Sequence, residues 1–273
     1  MQTLQSAAAA VLATADPKSK AKAARALQHR WAEERLAIGG ACADLGRPSR
    51  PAEPRLVPPK DVPRRRINRG SSGRIALLHA LAHIELNAVD LAADMIARFA
   101  TQSTPRAFCE DWLKVLDEEG RHFLLVSDRL EALGSHYGAH PAHDGLWEAA
   151  ETTAGDLMAR LAVVPLVLEA RGLDVTPAMI AKLKQVEDPE SAAVLAVIYE
   201  EEIGHVAIGR RWFAWTAEAR GLDPWEVWPQ LVRKHFRGSL KPPFNHAGRE
   251  AAGIPRSGYE GLASDGIATE HSA

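Results

Sequence analysis

Cysteine is scarce in this 273-residue chain, and the two cysteines present exclude a zinc or redox centre built on paired thiols. Cys42 and Cys109 lie far apart in unlike contexts, and neither belongs to a Cys-x-x-Cys pair. Such usage suits a reducing compartment, so we expect a cytoplasmic protein.

Long apolar runs and an excess of one charge are also lacking. No segment approaches the roughly 20 apolar residues of a membrane span. The apolar stretch 7–15 has no basic region before it and is mostly alanine, which argues against a signal peptide. Lysine and arginine number 33 against 35 aspartate and glutamate, a net charge of -2. We therefore expect a soluble protein with no membrane partner and no general affinity for polyanions.

Sustained alternation of polar and apolar residues, the mark of half-buried strands, is absent too, and this predicts an all-α fold. The 46% hydrophobic content suffices for one main core. Apolar periodicity, caps and breakers together predict the helical segments. These cover residues 3–15, 18–38, 74–99, 105–133, 146–171, 176–186, 189–220 and 224–236.

Proline and glycine divide the chain further. Six prolines between 48 and 63 predict an extended arm over 48–73. Gly172 is expected to end the third core helix, and Pro165 to bend it. Beyond residue 250 we expect disorder or a segment draped over the surface. The predicted organisation is an N-terminal helical segment (1–47), the arm (48–73), a helical core (74–220) and a C-terminal helix and tail (221–273).

Two short motifs indicate the chemistry. Glu119-Gly120-Arg121-His122 lies on the second core helix and Glu202-Ile203-Gly204-His205 on the fourth. Residues three apart on a helix project from the same face, so each glutamate and histidine can converge on one metal ion. One Glu-x-x-His is weak support by itself, because a surface ion pair has the same spacing.

Two further glutamates strengthen the metal-site interpretation. Glu85 and Glu169 lie in otherwise apolar stretches, where an ionised carboxylate is costly unless it is compensated. The interval is 34 residues from Glu85 to Glu119 and 33 from Glu169 to Glu202, as expected of two similar helical hairpins. A di-metal site in a helical bundle needs four carboxylates and two imidazoles, which is the set found here.

Residues 74–219 resemble the ferritin-like di-iron carboxylate proteins. The shared pattern is a single glutamate followed by a Glu-x-x-His motif, and it occurs twice. Residues 75–90, 122–133 and 165–174 are more closely similar to DUF455, a bacterial ferritin-like family for which we know no established reaction. The resemblance implies a ferritin-like four-helix bundle with extra N-terminal helices and a C-terminal extension. It implies two iron ions, with manganese or a mixed pair as alternatives, and bridging roles for Glu119 and Glu202. The implied ligands are Glu85, Glu119, His122, Glu169, Glu202 and His205.

Other residues compete for roles at this site. Glu118 and Glu201 lie four residues before the motif histidines and could replace the motif glutamates, although the bundle motif favours the three-residue spacing. His79 and His83 suit either core histidines hydrogen-bonded to backbone or groups near a pocket. His83 projects away from Glu85 on a regular helix, so the two cannot easily share a metal.

A second group of polar residues has less specific interpretations. Asn87 and Asp90 could orient a ligand histidine or face solvent, and Tyr199 could border a pocket or pack in the core. Three loop histidines, His136, His140 and His143, could bind a surface metal, but an ordinary polar loop is the simpler interpretation.

Our leading functional hypothesis is an oxygen-dependent oxidase or hydroxylase that uses dioxygen, an external electron donor and an unknown substrate. A ferroxidase or metal-binding protein without an organic substrate is the alternative. A tRNA-modifying hydroxylase is a minor one, which the basic cluster Arg64-Arg65-Arg66, Arg69 and Arg74 would suit. A metal-free bundle would instead pair its buried glutamates with residues such as Arg121 and Arg171. Four tryptophans between 212 and 228 would suit packing of the last helix or a homodimer.

Overall fold

The fold was analysed in a computed structural model that describes residues 2–33, 36–40, 42, 45–63, 65 and 67–270, with side chains to residue 263. Over these ranges the chain is helical, and its only β interactions are the isolated bridges Thr3–Ala37 and Leu56–Ala142. The predicted all-α class is therefore confirmed. The chain separates into two compact units.

The first unit comprises Met1–Trp147 and Val186–Val194. Its complete helices are α1 (Leu4–Leu12), α2 (Pro17–Ala32), α3 (Ser71–Phe99) and α4 (Arg106–Ala132). The long helices α3 and α4 pack against each other, α2 packs on α4, and α1 packs on α3. The core of this unit therefore lies between α3 and α4, and the two N-terminal helices cover it.

Local sequence explains where the first helices begin. Asp16 caps α2 by accepting a hydrogen bond from the Ser19 backbone N–H, and Pro17 occupies the first turn, where its missing N–H costs nothing. Thr3 and Ser6 form a capping box at the start of α1. Helix α2 ends at Ala32, so the expectation that it continues to residue 38 was wrong.

The proline-rich arm belongs to the first unit and packs against the loop that follows α4. The Val57 N–H donates to the Ala142 carbonyl and the Ala142 N–H to the Arg55 carbonyl, and a single 3₁₀ turn occupies Pro59–Asp61. Arg74, in the first turn of α3 after the arm, donates to buried Asp188, which also accepts from Arg129. Two members of the predicted basic cluster, Arg64 and Arg66, lie outside the described residues.

A buried ion-pair network fixes α2 and the arm to α3. Lys20 Nζ donates to Asp90 Oδ1 at 2.5 Å, and Arg50 donates to Asp90 Oδ2 at 3.0 Å and to Asn87 Oδ1. Both Lys20 and Asp90 are at most 1% exposed. Burial lowers the pKa of Lys20 and raises that of Asp90, so each charge depends on the other for its stability in the core. Asn87 and Asp90 thus connect elements of the scaffold.

The second unit comprises Glu148–Gln185 and Leu195–Ala273. The helices here are α5 (Gly145–Thr152), α6 (Leu157–Val163), α7 (Ala170–Gln185), α8 (Pro189–Glu218), α9 (Pro224–His235), α10 (His246–Ala251) and α11 (Arg256–Glu270), of which α5 and α8 begin in the first unit. A π-helical segment, Val164–Glu169, joins α6 to α7.

The expectation of one helix over 146–171 was wrong in two ways. The helix breaks before Asp156, which caps α6 by accepting from the Met158 N–H. It then widens into the π segment at Pro165, whose missing N–H removes one α-helical hydrogen bond. Gly172 does not end a helix, because α7 continues through it to Gln185 and absorbs the separate helix predicted over 176–186.

The tail is ordered as helices, contrary to the expectation of disorder or a draped segment beyond residue 250. Tyr259 on α11 is 1% exposed, and buried Arg249 on α10 donates to Asp174 on α7. Trp228 on α9 donates its indole N–H to the Ala162 carbonyl. These contacts bury aromatic surface, and they depend on partners distant in sequence.

Helix α3 is the one described helix that is long and apolar enough to cross a membrane by length and composition. Its most apolar window has a mean hydropathy of 1.4, and 78% of that window is buried inside the protein. Buried Glu85, Asp90 and Asp94 also lie on this helix. Both properties are those of a helix buried in a protein core.

We predict that Asp90→Asn lowers the free energy of unfolding by about 3–5 kcal/mol, because Lys20 would remain buried without a full counter-charge. Urea denaturation measures this change. Asp128→Asn is the matched control, since Asp128 pairs with Lys18 at 3.4 Å and its side chain is 71% exposed, and it should cost about 0–1 kcal/mol. Equal effects of the two substitutions would contradict the role of burial.

Candidate metal centre

Three predicted ligands meet in the interior of the first unit. Glu85 on α3 is 3% exposed, and Glu119 and His122 on α4 are fully buried. His122 Nδ1 lies 3.5 Å from Glu85 Oε2 and 3.4 Å from Glu119 Oε2. One coordinating atom from each residue lies within 4.8 Å of those of the other two. This buried Glu/His cluster could hold a metal ion.

The electrostatics of the cluster favour positive charge. Burial, the largest influence, lowers the pKa of His122, but hydrogen bonds and charges from Glu119 and Glu85 outweigh it and raise that pKa well above its usual range. The two carboxylates therefore favour a cation at this point of the core. Metal binding to the imidazole would release the proton and supply that charge instead.

The glycine inside the first motif lies in a tightly packed contact between α2 and α4. A Cβ atom on Gly120 would lie 2.7 Å from the Ala21 carbonyl oxygen and 3.0 Å from Arg25 Cγ. Only a glycine at this position lets α2 approach α4 so closely. The glycine inside the first Glu-x-x-His motif thus has a packing function that its sequence context did not reveal.

Neighbouring Glu118 lies in a different environment from Glu119. It forms an ion pair with Lys114 at 2.7 Å, one turn earlier on α4, and is partly exposed. Glu119 is the carboxylate whose oxygens are both buried beside His122. On α4, the glutamate that lies in the cluster is therefore Glu119, three residues before His122.

The other three predicted ligands lie in the second unit. Glu202 and His205 on α8 face each other, with 3.7 Å between Oε2 and Nδ1. Glu169 is the last residue of the π segment. In all three residues a coordinating atom is buried, namely Glu169 Oε2, Glu202 Oε2 and His205 Nδ1.

A close contact joins the π segment to α8. A Cβ atom on Gly209 would overlap the Pro165 ring, so only glycine fits there. Glu169 follows Pro165 by four residues, and His205 precedes Gly209 by four. Single π turns are frequent at functional sites, where they reorient a side chain. Pro165 was the sequence signal for this irregularity, but it indicated only a bend.

Tyr199 has a structural partner in the same unit. Its hydroxyl accepts a hydrogen bond from Asn245 Nδ2, and Asn245 also donates its backbone N–H to Asp174. Tyr199 thus links α8 to the segment before α10.

Comparison with known proteins gives a family without an assigned reaction. A family profile described as "Protein of unknown function (DUF455)" matches residues 13–260. A Haemophilus influenzae protein described as "Uncharacterized protein" is 43% identical over 209 residues, which cover 75% of this chain and 72% of that protein. No solved structure matches.

His79 and His83 are hydrogen-bonded to the loop that follows α4. The Gly138 N–H donates to His79 Nε2 at 3.0 Å, and His83 contacts the Tyr137 hydroxyl and the His143 carbonyl. Burial, reinforced by the neighbouring histidines, lowers the pKa of His79 to about 4. The interpretation as core histidines bonded to backbone is the one that fits.

We predict that His79 makes the protein sensitive to mild acid. The pKa of His79 is lower in the folded state than in the unfolded chain. Between pH 6.5 and about 4, the imidazole is therefore protonated in the unfolded chain but neutral in the folded protein. The free energy of unfolding falls as the pH falls through this range. At pH 5 the loss is about 2 kcal/mol. Urea denaturation at pH 7 and pH 5 should show that His79→Asn removes this loss, whereas His29→Asn, at an exposed position, retains it. An unchanged pH dependence in His79→Asn would refute the prediction.

Proposed function

Since the chain belongs to the DUF455 family, whose reaction is not assigned, we propose a function from its site: a two-metal carboxylate oxidoreductase that uses dioxygen and an external electron donor. Iron is the metal that we propose, with manganese or a mixed pair as alternatives. The observation that carries this proposal is the buried cluster of Glu85, Glu119 and His122.

The ligand set that we propose contains both triads. The second triad repeats the pattern of the first, with one glutamate and one Glu-x-x-His motif, and its coordinating atoms are likewise buried. Four carboxylates carry four negative charges, which two divalent cations balance. Glu119 and Glu202, the motif glutamates, would hold the ions together with the other four residues of this set.

The donor chemistry supports iron or manganese. Mixed carboxylate and imidazole donors suit these ions, whereas zinc and copper sites more often include thiolates or several imidazoles. Paired redox-active ions in such a site supply electrons to dioxygen. The contribution of this chain is to hold the carboxylates in a buried position.

The competing interpretations have less support. Arg74, counted in the basic cluster that would suit tRNA, is engaged with Asp188 at 2.7 Å. Arg171, a candidate counter-ion in a metal-free bundle, donates to the carbonyls of Lys241 and Pro243. A ferroxidase would use the same ligands, and only a test with an organic substrate separates it from an oxidase.

We predict that Glu119→Gln loses bound metal while Glu118→Gln retains it. The first change removes a carboxylate from the buried cluster, and the second removes one that pairs with Lys114. Metal content per chain after expression with iron is the measurement, and about two ions are expected in the wild type. Circular dichroism checks that both variants fold. Undiminished metal in Glu119→Gln would contradict the ligand assignment.

We also predict that the iron-loaded, anaerobically reduced protein consumes dioxygen and develops a ferric absorption band. Glu202→Gln, which alters the other motif, should abolish both signals. An oxygen electrode and stopped-flow absorbance measure them. Tightly bound iron that neither consumes dioxygen nor becomes ferric would disprove oxygen chemistry, although the metal site itself would remain.

A further inference from the structure

A cavity of about 200 Å³ lies in the second unit, directly beside the π segment. Val167 and Leu168, the two residues before Glu169, form part of its wall. Phe236, Leu240 and Phe244 supply further apolar lining from the chain between α9 and α10. At about 30 Å³ per water molecule, the volume corresponds to about seven water-sized groups, which is the size of a small ligand.

The charged residues around the cavity are mostly positive. Arg171, Lys241 and Arg249 line it together with a single carboxylate, Asp174. Three positive charges against one negative charge favour an anionic ligand.

Arg249 is the group best placed to recognise that anion. Its Nε and Nη2 donate to the two oxygens of Asp174, both at 2.8 Å, so the pair fixes the guanidinium in one orientation. The guanidinium also lies over the rings of Phe244 and Tyr259, 5.1 and 4.6 Å from their centroids. The residue is 1% exposed.

One donor atom of this fixed guanidinium is unused. Arg249 Nη1 is buried and has no hydrogen-bond partner among the described residues. A buried donor without an acceptor is unfavourable, and a ligand oxygen would satisfy it. Arg171 differs, since its Nη1 already donates to the carbonyls of Lys241 and Pro243.

We propose that this cavity binds a small organic acid, whose carboxylate is attracted by the Arg249 guanidinium and accepts a hydrogen bond from its buried Nη1 once the side chains that cover this atom shift, and whose apolar body contacts Val167, Leu168 and Leu240. A phosphate group fits less well, because it requires several donors and has no apolar part to fill the lining. Leu168 in the cavity wall directly precedes Glu169, so we propose that the acid is the substrate of the metal site. This substrate role rests on the proposed function, whereas binding of the acid requires no metal.

Binding is tested on the full-length, metal-free protein with hexanoate and benzoate as probes. Hexanamide and benzamide are the matched neutral controls, since they have the same size and apolar body. Calorimetry and ligand-observed NMR at millimolar concentrations should show that the acids bind about tenfold more tightly than the amides, because only the acids carry the charge that Arg249 recognises. Equal binding of acid and amide, or no saturable binding of either, would overturn the proposal.

Two variants locate the binding site. Arg249→Lys keeps a positive charge beside Asp174 but removes the guanidinium fork, and it should weaken acid binding about tenfold. Leu240→Trp fills the cavity while both residues of the ion pair are kept, and it should abolish binding, with circular dichroism as a check on folding. Wild-type affinity in either folded variant would overturn the assignment.

Two further measurements separate the remaining outcomes. Inorganic phosphate should not displace hexanoate at equal concentration, and displacement would replace the organic-acid assignment with an inorganic-anion site. Metal content is determined on the same preparations. Acid binding without metal uptake would defeat the proposed function alone, and metal uptake without acid binding would defeat the cavity proposal alone.

Discussion

The burial of acidic groups in an apolar core is the constraint on which the rest of this structure depends. An ionised carboxylate loses its hydration there, and the loss must be offset by nearby positive charge or hydrogen bonds. Asp90, Asp174 and Asp188 meet this requirement with lysine or arginine partners held at hydrogen-bond distance. Glu85 and Glu119 face an imidazole instead. Because a histidine is also a metal ligand, pairing carboxylates with an imidazole is the arrangement that could bind a metal.

The scaffold around the cluster is built by the first solution. The Asp90 network joins α2, α3 and the arm, and the Asp188 network joins Arg74 on α3 to Arg129 on α4. Such pairs add little net stability, but breaking one is costly, so they fix the arrangement of the helices that contain them. The helices that carry Glu85 and Glu119 are thereby held in register, and a metal site requires this precision of its ligands.

In the second unit, irregular backbone and close packing position the proposed ligands, as the ion pairs do in the first unit. The π segment before α7 turns Glu169 into its observed position, and the glycine at 209 lets α8 approach Pro165. The cavity with its fixed arginine is lined in part by Val167 and Leu168 of the same segment. One short departure from α-helical geometry thus contains both a proposed metal ligand, Glu169, and, directly before it, two residues of a proposed substrate cavity.

The sequence by itself determined the helical class, the long helices α3, α4 and α8, and the candidate ligands, because helical periodicity and Glu-x-x-His spacing are local properties. Tertiary structure alone decided the rest. Only folding brings Glu85 on α3 to His122 on α4, and only packing explains why α7 continues through Gly172 or why Arg249 lies buried against Asp174. These outcomes depend on partners distant along the chain, whose burial and charge outweigh the local preferences that a sequence displays.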